Sequence, residues 1–171
     1  MQSNIIKEIY TRVLKGHIAV ASYKLNKNSC GDKIDQLARK FLKDVNLDYP
    51  HGTGHGVGYF SNVHEGPQAI SRGNKVKFKE GMITSNEQGY YKKNHFGIRI
   101  ENLVYVKKTK NKLKFEDLTL VPIDKKLIEE KLLTVAEKNW INKYHQRVFV
   151  CLKKFMNNLE LVQLKQACSN I

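Results

Sequence analysis

The sequence predicts an α+β protein, and three patterns carry that prediction. Towards both ends, apolar residues recur at helical spacing. The centre contains stretches in which apolar and polar residues alternate as they do in half-buried strands. Between the first helical region and these strands lies His51-Gly-Thr-Gly-His55-Gly-Val-Gly, whose glycines favour a loop over either regular structure.

Ile5, Ile6, Ile9, Val13 and Leu14 define a first helix. A second follows Gly31, with Asp32 as its expected N-cap and an apolar stripe of Ile34, Leu37, Phe41, Leu42 and Val45. Asp48 then falls in a loop ahead of Pro50. Met82 to Glu87 reads as a strand that ends in a Gln88-Gly89 turn before Tyr90 and Tyr91. Phe96 to Glu101 reads as another, with Phe96, Ile98 and Ile100 on one face and Arg99 and Glu101 on the other. Asp124 is placed to cap a short helix carrying Leu127, Ile128 and Leu132. Thr134-Val-Ala-Glu137 is a capping box opening a longer helix with Trp140, Ile141, Tyr144, Val148, Leu152 and Phe155. Asn157-Asn158 interrupts it before a last amphipathic turn or two through Leu164. The organisation expected is one α+β unit over residues 1–123 and a helical extension over 124–171.

The chemistry concentrates around the glycine loop. Three of the six histidines lie between His51 and His64. On a helix, His51 and His55 would share a face as in helical zinc motifs. Gly52, Gly54, Gly56 and Gly58 argue against that, at roughly 1 kcal/mol each relative to alanine. In a loop the two imidazoles need not share a role, and one could bind metal while the other faces substrate. Glu101 would be costly to bury unless partnered. A divalent cation would satisfy it, with Arg99 orienting a neighbouring carboxylate. One histidine with Glu87 and Glu101 is a nitrogen/oxygen set suited to Mn, Co or Zn rather than to a thiolate site. Taken singly, a loop histidine, a turn glutamate or an Arg-x-Glu pair has an ordinary solvated reading. Their joint order is the informative feature.

That order is carried by three blocks: HGTGHGVGYFSNVHEGP, GMITSNEQGYY and FGIRIENLVYV. They resemble the catalytic domain of aminopeptidase P, the Xaa-Pro aminopeptidases with the pita-bread metallopeptidase fold. The resemblance extends upstream to YTRVLKGHIAV and downstream to LTLVPIDKKLI and NWINKYH. It implies the C-terminal half of a pita-bread domain with a helical tail. It further implies that His55, Glu87 and Glu101 are metal ligands, Glu101 bridging two ions in an intact site, with manganese as the expected metal and Zn or Co as alternatives. His51 and His64 would line the substrate pocket, His64 handling protons during cleavage. Arg99 and Tyr91, with His51, would orient ligands or substrate. The substrate implied is a peptide with proline in second position, cut before that proline.

Two departures bear on activity. Where the family has Glu-Pro-Gly, this chain has Glu87-Gln88-Gly89, which loosens the segment positioning Glu87 but keeps the carboxylate. The resemblance also implies two aspartate ligands from a hairpin preceding the segment like TRVLKGHIA, and the sequence begins just upstream of that segment. Glu8, Asp32, Asp35, Asp44 and Asp48 are the carboxylates before His51, and none falls on an alternating strand pair. The expectation is therefore three of five ligands, at most one weakly held cation, and no activity for the chain alone. It could be completed by a separately encoded N-terminal piece; other readings are a non-enzymatic remnant of a split gene or a basic binding protein. Apolar residues shaped to pack on the other half should then be exposed. The tail helices would serve homodimer pairing.

A net charge of +14 over 171 residues raises nucleic-acid binding. The lysines are spread along the chain, with small clusters at Lys92-Lys93, Lys107-Lys108 and Lys125-Lys126, so that class is disfavoured. Cys30, Cys151 and Cys168 form no CxxC pair and fit a reducing compartment. Neither a signal-peptide core nor a run of ~20 apolar residues is present, so the sequence points to the cytoplasm and away from membranes.

Overall fold

The apolar stripe at the start of the chain forms helix α1 (Asn4–Ala21), in the computed structural model describing residues 4–60, 62–110 and 112–171. Two compact units are formed. One spans Arg12–Thr119; the other joins the described residues up to Thr11 with Leu120–Ile171.

In the Arg12–Thr119 unit, α1 contributes Val13, Leu14, Ile18 and Val20, all nearly inaccessible to solvent. Gly16 lets it approach α2 (Gly31–Lys43), because a Cβ there would collide with the Ala38 carbonyl. Helix α2 buries Ile34 and Leu42 of its expected stripe, with Ala38 beside them; Leu37 and Phe41 are half-buried, and Val45 lies past its end. Its N-cap is Cys30, not Asp32. Asp32 sits in the first turn, where its carboxylate accepts bonds from the Gly73 amide and the Lys75 ammonium instead of capping its own helix.

Among the described residues the main sheet is antiparallel in the order β1 (Lys24–Leu25), β6 (Lys112–Asp117), β5 (Phe96–Thr109), β4 (Ile83–Lys92). A second ladder pairs β2 (Gly54–His55) with β3 (Ala69–Ile70). Val104, Val106 and Phe115 from the sheet meet Val20, Leu25, Ile34, Ala38, Ile70 and Phe78 in one core, with Phe78 and Phe115 edge-to-face at 5.2 Å. Strand β5 alternates as expected, Ile98 and Ile100 buried and Arg99 and Glu101 exposed. Strand β4 departs from expectation. Gln88-Gly89 is not a turn: the ladder runs unbroken from Ile83↔Tyr105 to Lys92↔Phe96, and the chain reverses at Lys93–His95, with Asn94 at φ +60°. Gln88 retains the backbone N–H that proline lacks, so it is compatible with ladder pairing opposite Ile100.

In the other unit, the Thr134–Glu137 capping box opens α3 (Val135–Leu152), whose buried face is Ile141, Tyr144, His145 and Val148. The Tyr144 hydroxyl donates to the Val121 carbonyl at 2.9 Å, and the Ile123 amide donates to His145 Nε2 at 3.0 Å. Asp124 caps a single 3-10 turn at Lys125–Leu127, and a second turn follows at Glu130–Leu132. Asn157 closes its own capping box with Glu160 and starts α4 (Asn158–Ala167). Ile5 and Phe155, expected on apolar stripes, are 64% and 69% exposed; α3 ends at Leu152, so Phe155 falls in a 3-10 turn off the helical register. Among the described residues no helix is long and apolar enough to cross a membrane.

Candidate metal centre and its surroundings

Strand β4 is unusual in burying a polar run. Thr84, Ser85, Asn86, Glu87 and Gln88 are all less than a tenth exposed. Such groups persist in an interior only when hydrogen-bonded or otherwise satisfied. Part of the satisfaction comes from the glycine loop, which lies along β4. Gly56 bridges to Thr84, and the Glu87 amide donates to the Thr53 carbonyl at 2.8 Å. Gly54 permits this approach, since a Cβ there would strike the Ser85 carbonyl.

Register does the rest. Glu87 stands directly opposite Glu101 across the β4–β5 ladder. His55, at the end of β2, projects toward both. One ligand atom from each of His55, Glu87 and Glu101 can be chosen such that all lie within 4.8 Å of one another. His55 Nε2 is 3.5 Å from Glu87 Oε1. Glu87 is held at both oxygens: Ser85 Oγ donates to Oε1 at 2.9 Å, and Arg99 Nη1 donates to Oε2 at 3.1 Å. A nitrogen and two carboxylate oxygens so close, two of them like charges, are a donor set that fits a divalent cation.

The other expected site residues surround this group. Arg99 Nε donates to the Tyr91 hydroxyl at 2.7 Å, and that hydroxyl also lies 2.9 Å from His51 Nε2. His51, Tyr91, Arg99 and Glu87 thus form one hydrogen-bonded chain. His64 is exposed, with its ring centroid 4.1 Å from that of His55. All seven expected residues therefore gather in one place.

Sequence reasoning missed the groups that fix the loop. Arg39 donates to Asp35 at 2.9 Å, to Asp48 at 2.7 Å and to the Tyr49 and His51 carbonyls. Asp35, 2% exposed, also accepts from Thr53 Oγ1 at 2.6 Å. Tyr49 packs its ring under the Arg39 guanidinium at 4.0 Å, and burial pushes its phenol pKa up. Asp35 and Arg39 are an i, i+4 pair on α2, a pattern too common to single out. Thr84 and Ser85, which grip the peptide of His55, were hidden within a strand assignment.

Compared with known proteins, residues 2–108 match metallopeptidase family M24, and residues 111–171 match the C-terminal region of peptidase M24. The chain belongs to metallopeptidase family M24. A probable Xaa-Pro aminopeptidase P of Sclerotinia sclerotiorum is 46% identical over 168 residues, covering 91% of this chain and 28% of that protein. Aminopeptidase P2 of Arabidopsis thaliana is 48% identical over 153 residues, covering 84% and 22%. The X-prolyl aminopeptidase of Caenorhabditis elegans, described as a cytosolic enzyme with a di-nuclear active site, superposes with a TM-score of 0.92 at 38% identity, covering all of this chain and 30% of that one. The chain thus spans roughly a quarter of the length of the curated relatives it matches. Its α+β fold corresponds to the C-terminal half of the pita-bread arrangement, with a helical tail.

Proposed function

We propose that this chain carries part of the active centre of an Xaa-Pro aminopeptidase, acting on peptides with proline in second position, and that His55, Glu87 and Glu101 hold a divalent cation there. The observation that carries this reading is the convergence of those three donors within 4.8 Å from two ladders far apart in sequence. Manganese is the expected ion, with Zn or Co compatible with the same donors. When bound, such an ion supplies Lewis acidity at the scissile carbonyl and an easily ionised water. The residues around it then have separate tasks. Glu87, fixed by Ser85 and Arg99, presents its remaining lone pairs in one direction. His64 stands beside His55 on the exposed side, placed to carry a proton to or from the substrate. His51, Tyr91 and Arg99, joined by hydrogen bonds, orient the substrate's N-terminal end.

Three donors are too few for the two-ion centre that the resemblance implies, and among the described residues no further ligand joins them. In the two-ion centre that the resemblance implies, the remaining ligands come from a hairpin outside these 171 residues, in the same polypeptide or in another. Calorimetric titration of the 171-residue chain with Mn should therefore find at most one weak site, abolished by His55→Ala. Release of the first residue from an Xaa-Pro peptide should be slower than in an intact enzyme by on the order of 10³-fold or more, the loss of several kcal/mol of transition-state stabilisation. Addition of an N-terminal segment bearing the aspartate hairpin should raise both affinity and turnover. Tight binding of two ions by the chain alone, or brisk turnover abolished by Glu101→Gln, would overturn this reading.

A further inference from the structure

We infer that Ser85 is the positioning residue of this centre, one hydroxyl that locks two ligands to each other. The inference rests on the metal-binding reading above. Its starting point is a mechanical problem. His55 belongs to a strand of only two residues, followed by a loop, so its own ladder gives it little rigidity. Glu87 lies in the middle of a ten-residue strand. Backbone bonds at Thr53 and Gly56 tie the loop to β4 on either side of His55, but the 3.5 Å spacing of the imidazole and the carboxylate still depends on what holds the two residues to each other.

Ser85 supplies the tie. Its Oγ accepts the His55 amide at 2.8 Å and donates to Glu87 Oε1 at 2.9 Å. A serine hydroxyl has one proton and two lone pairs, so committing the proton to Glu87 and a lone pair to His55 fixes its rotor. The side chain is wholly buried, and water does not compete for either bond. Thr84 holds the other end of the same residue, its Oγ1 donating to the His55 carbonyl at 2.8 Å. The amide of His55 is therefore set by Ser85 and its carbonyl by Thr84, while its Nδ1 lies 3.1 Å from the Gly56 carbonyl and its Nε2 faces Glu87. Hydrogen bonds of this kind to metal ligands change affinity by about 10- to 100-fold when removed. A hydroxyl that merely filled the interior would affect stability and nothing else.

The test compares the native chain with Ser85→Ala, Ser85→Cys and His55→Ala by Co titration, Co absorption spectra and amide exchange of residue 55. Ser85→Cys keeps the bulk but offers only a weak donor and acceptor; because its sulfur could itself take Co, its affinity is read with Mn, which favours oxygen donors, and it then carries the test if the alanine form does not fold. The expected result is slow exchange of the His55 amide in the native chain and no Co site in His55→Ala. In the Ser85 variants, affinity (for Co in Ser85→Ala, for Mn in Ser85→Cys) falls at least 10-fold and the residue 55 amide exchanges faster, and the Co spectrum of Ser85→Ala shifts. Affinity within twofold of native for the same ion, or a residue 55 amide still slow to exchange, in a folded Ser85 variant overturns the positioning role while leaving the metal centre standing. Co binding that survives His55→Ala, or no Co binding by the native chain, overturns the metal centre itself, and the role of Ser85 falls with it.

Discussion

At the scale of single residues, the loop that carries the site histidines is held by a buried charge and its partners. Asp35 illustrates this. It is almost wholly buried, neutralised by Arg39 and bonded to Thr53, and through Arg39 it reaches the carbonyls of Tyr49 and His51. Removing Asp35 leaves Arg39 only the half-exposed Asp48 as counter-ion and takes an acceptor from buried Thr53, so Asp35→Ala should destabilise the fold by about 3 kcal/mol. Urea unfolding measures this directly; a change no larger than that of an exposed salt bridge would show that the guanidinium finds adequate solvent. The convergence of His55, Glu87 and Glu101, the ligands proposed above, was legible in the sequence, because all three sit in long ordered motifs. Asp35, Arg39 and Ser85 were not legible. Their importance comes from which groups they meet across 12 to 30 positions of sequence, and no local pattern encodes that.

At the scale of elements, period and capping chemistry served well wherever a single face or a single terminus decided the structure. The stripe of α2, the alternation of β5 and the capping box of α3 all follow from local rules. Two expectations failed for a shared reason. Gln88-Gly89 looks like a turn and Asp32 looks like a cap, yet a ladder partner claims the first and a distant loop claims the second. Tertiary partners outbid local preference in both. The unit containing α3 has its own testable property. Burial, reinforced by nearby Lys125, holds the His145 imidazole below the ordinary histidine value, and its Nε2 accepts the Ile123 amide. A histidine whose pKa is lower folded than unfolded binds its proton more readily once unfolded. Its contribution is whole above the unfolded value of about 6.5 and drains away as pH falls below it. Buried His17 acts with the same sign, again chiefly through desolvation. The melting temperature should therefore fall as pH drops from 7 towards 5, and His145→Phe should flatten that slope without abolishing it. An unchanged slope would mean that His145 titrates normally.

At the scale of the whole molecule, the order of motifs along the chain carried the family, and it did so because a cluster of side chains assembled from separate strands constrains sequence at several places at once. Surface charge was less readable. Lys24 stands opposite Lys114, and Lys114 opposite Lys107, across three strands of the sheet, with Glu116 bridging the latter two at 3.0 Å each. Burial works against the Glu116 carboxylate, but those two ammonium groups outweigh it and hold its pKa at about 2. Glu87 and Glu101 face each other in the same register, and among the described residues no pair of ammonium groups brackets them; Arg99 binds one Glu87 oxygen and feels the charge of both. Like charges placed directly opposite weaken a ladder. A cation seated between them turns a repulsive pair into an attractive one, and by mass action it favours the folded chain over the unfolded. Survival in the presence of a protease then becomes a gauge of ion supply. Trypsin should cut the lysine-rich chain faster in EDTA than in excess Mn, and Glu101→Gln should narrow the difference; equal rates in both would place the ion outside the hairpin. A polypeptide of this design would be tidied away wherever divalent ions run short, and would last where they are plentiful.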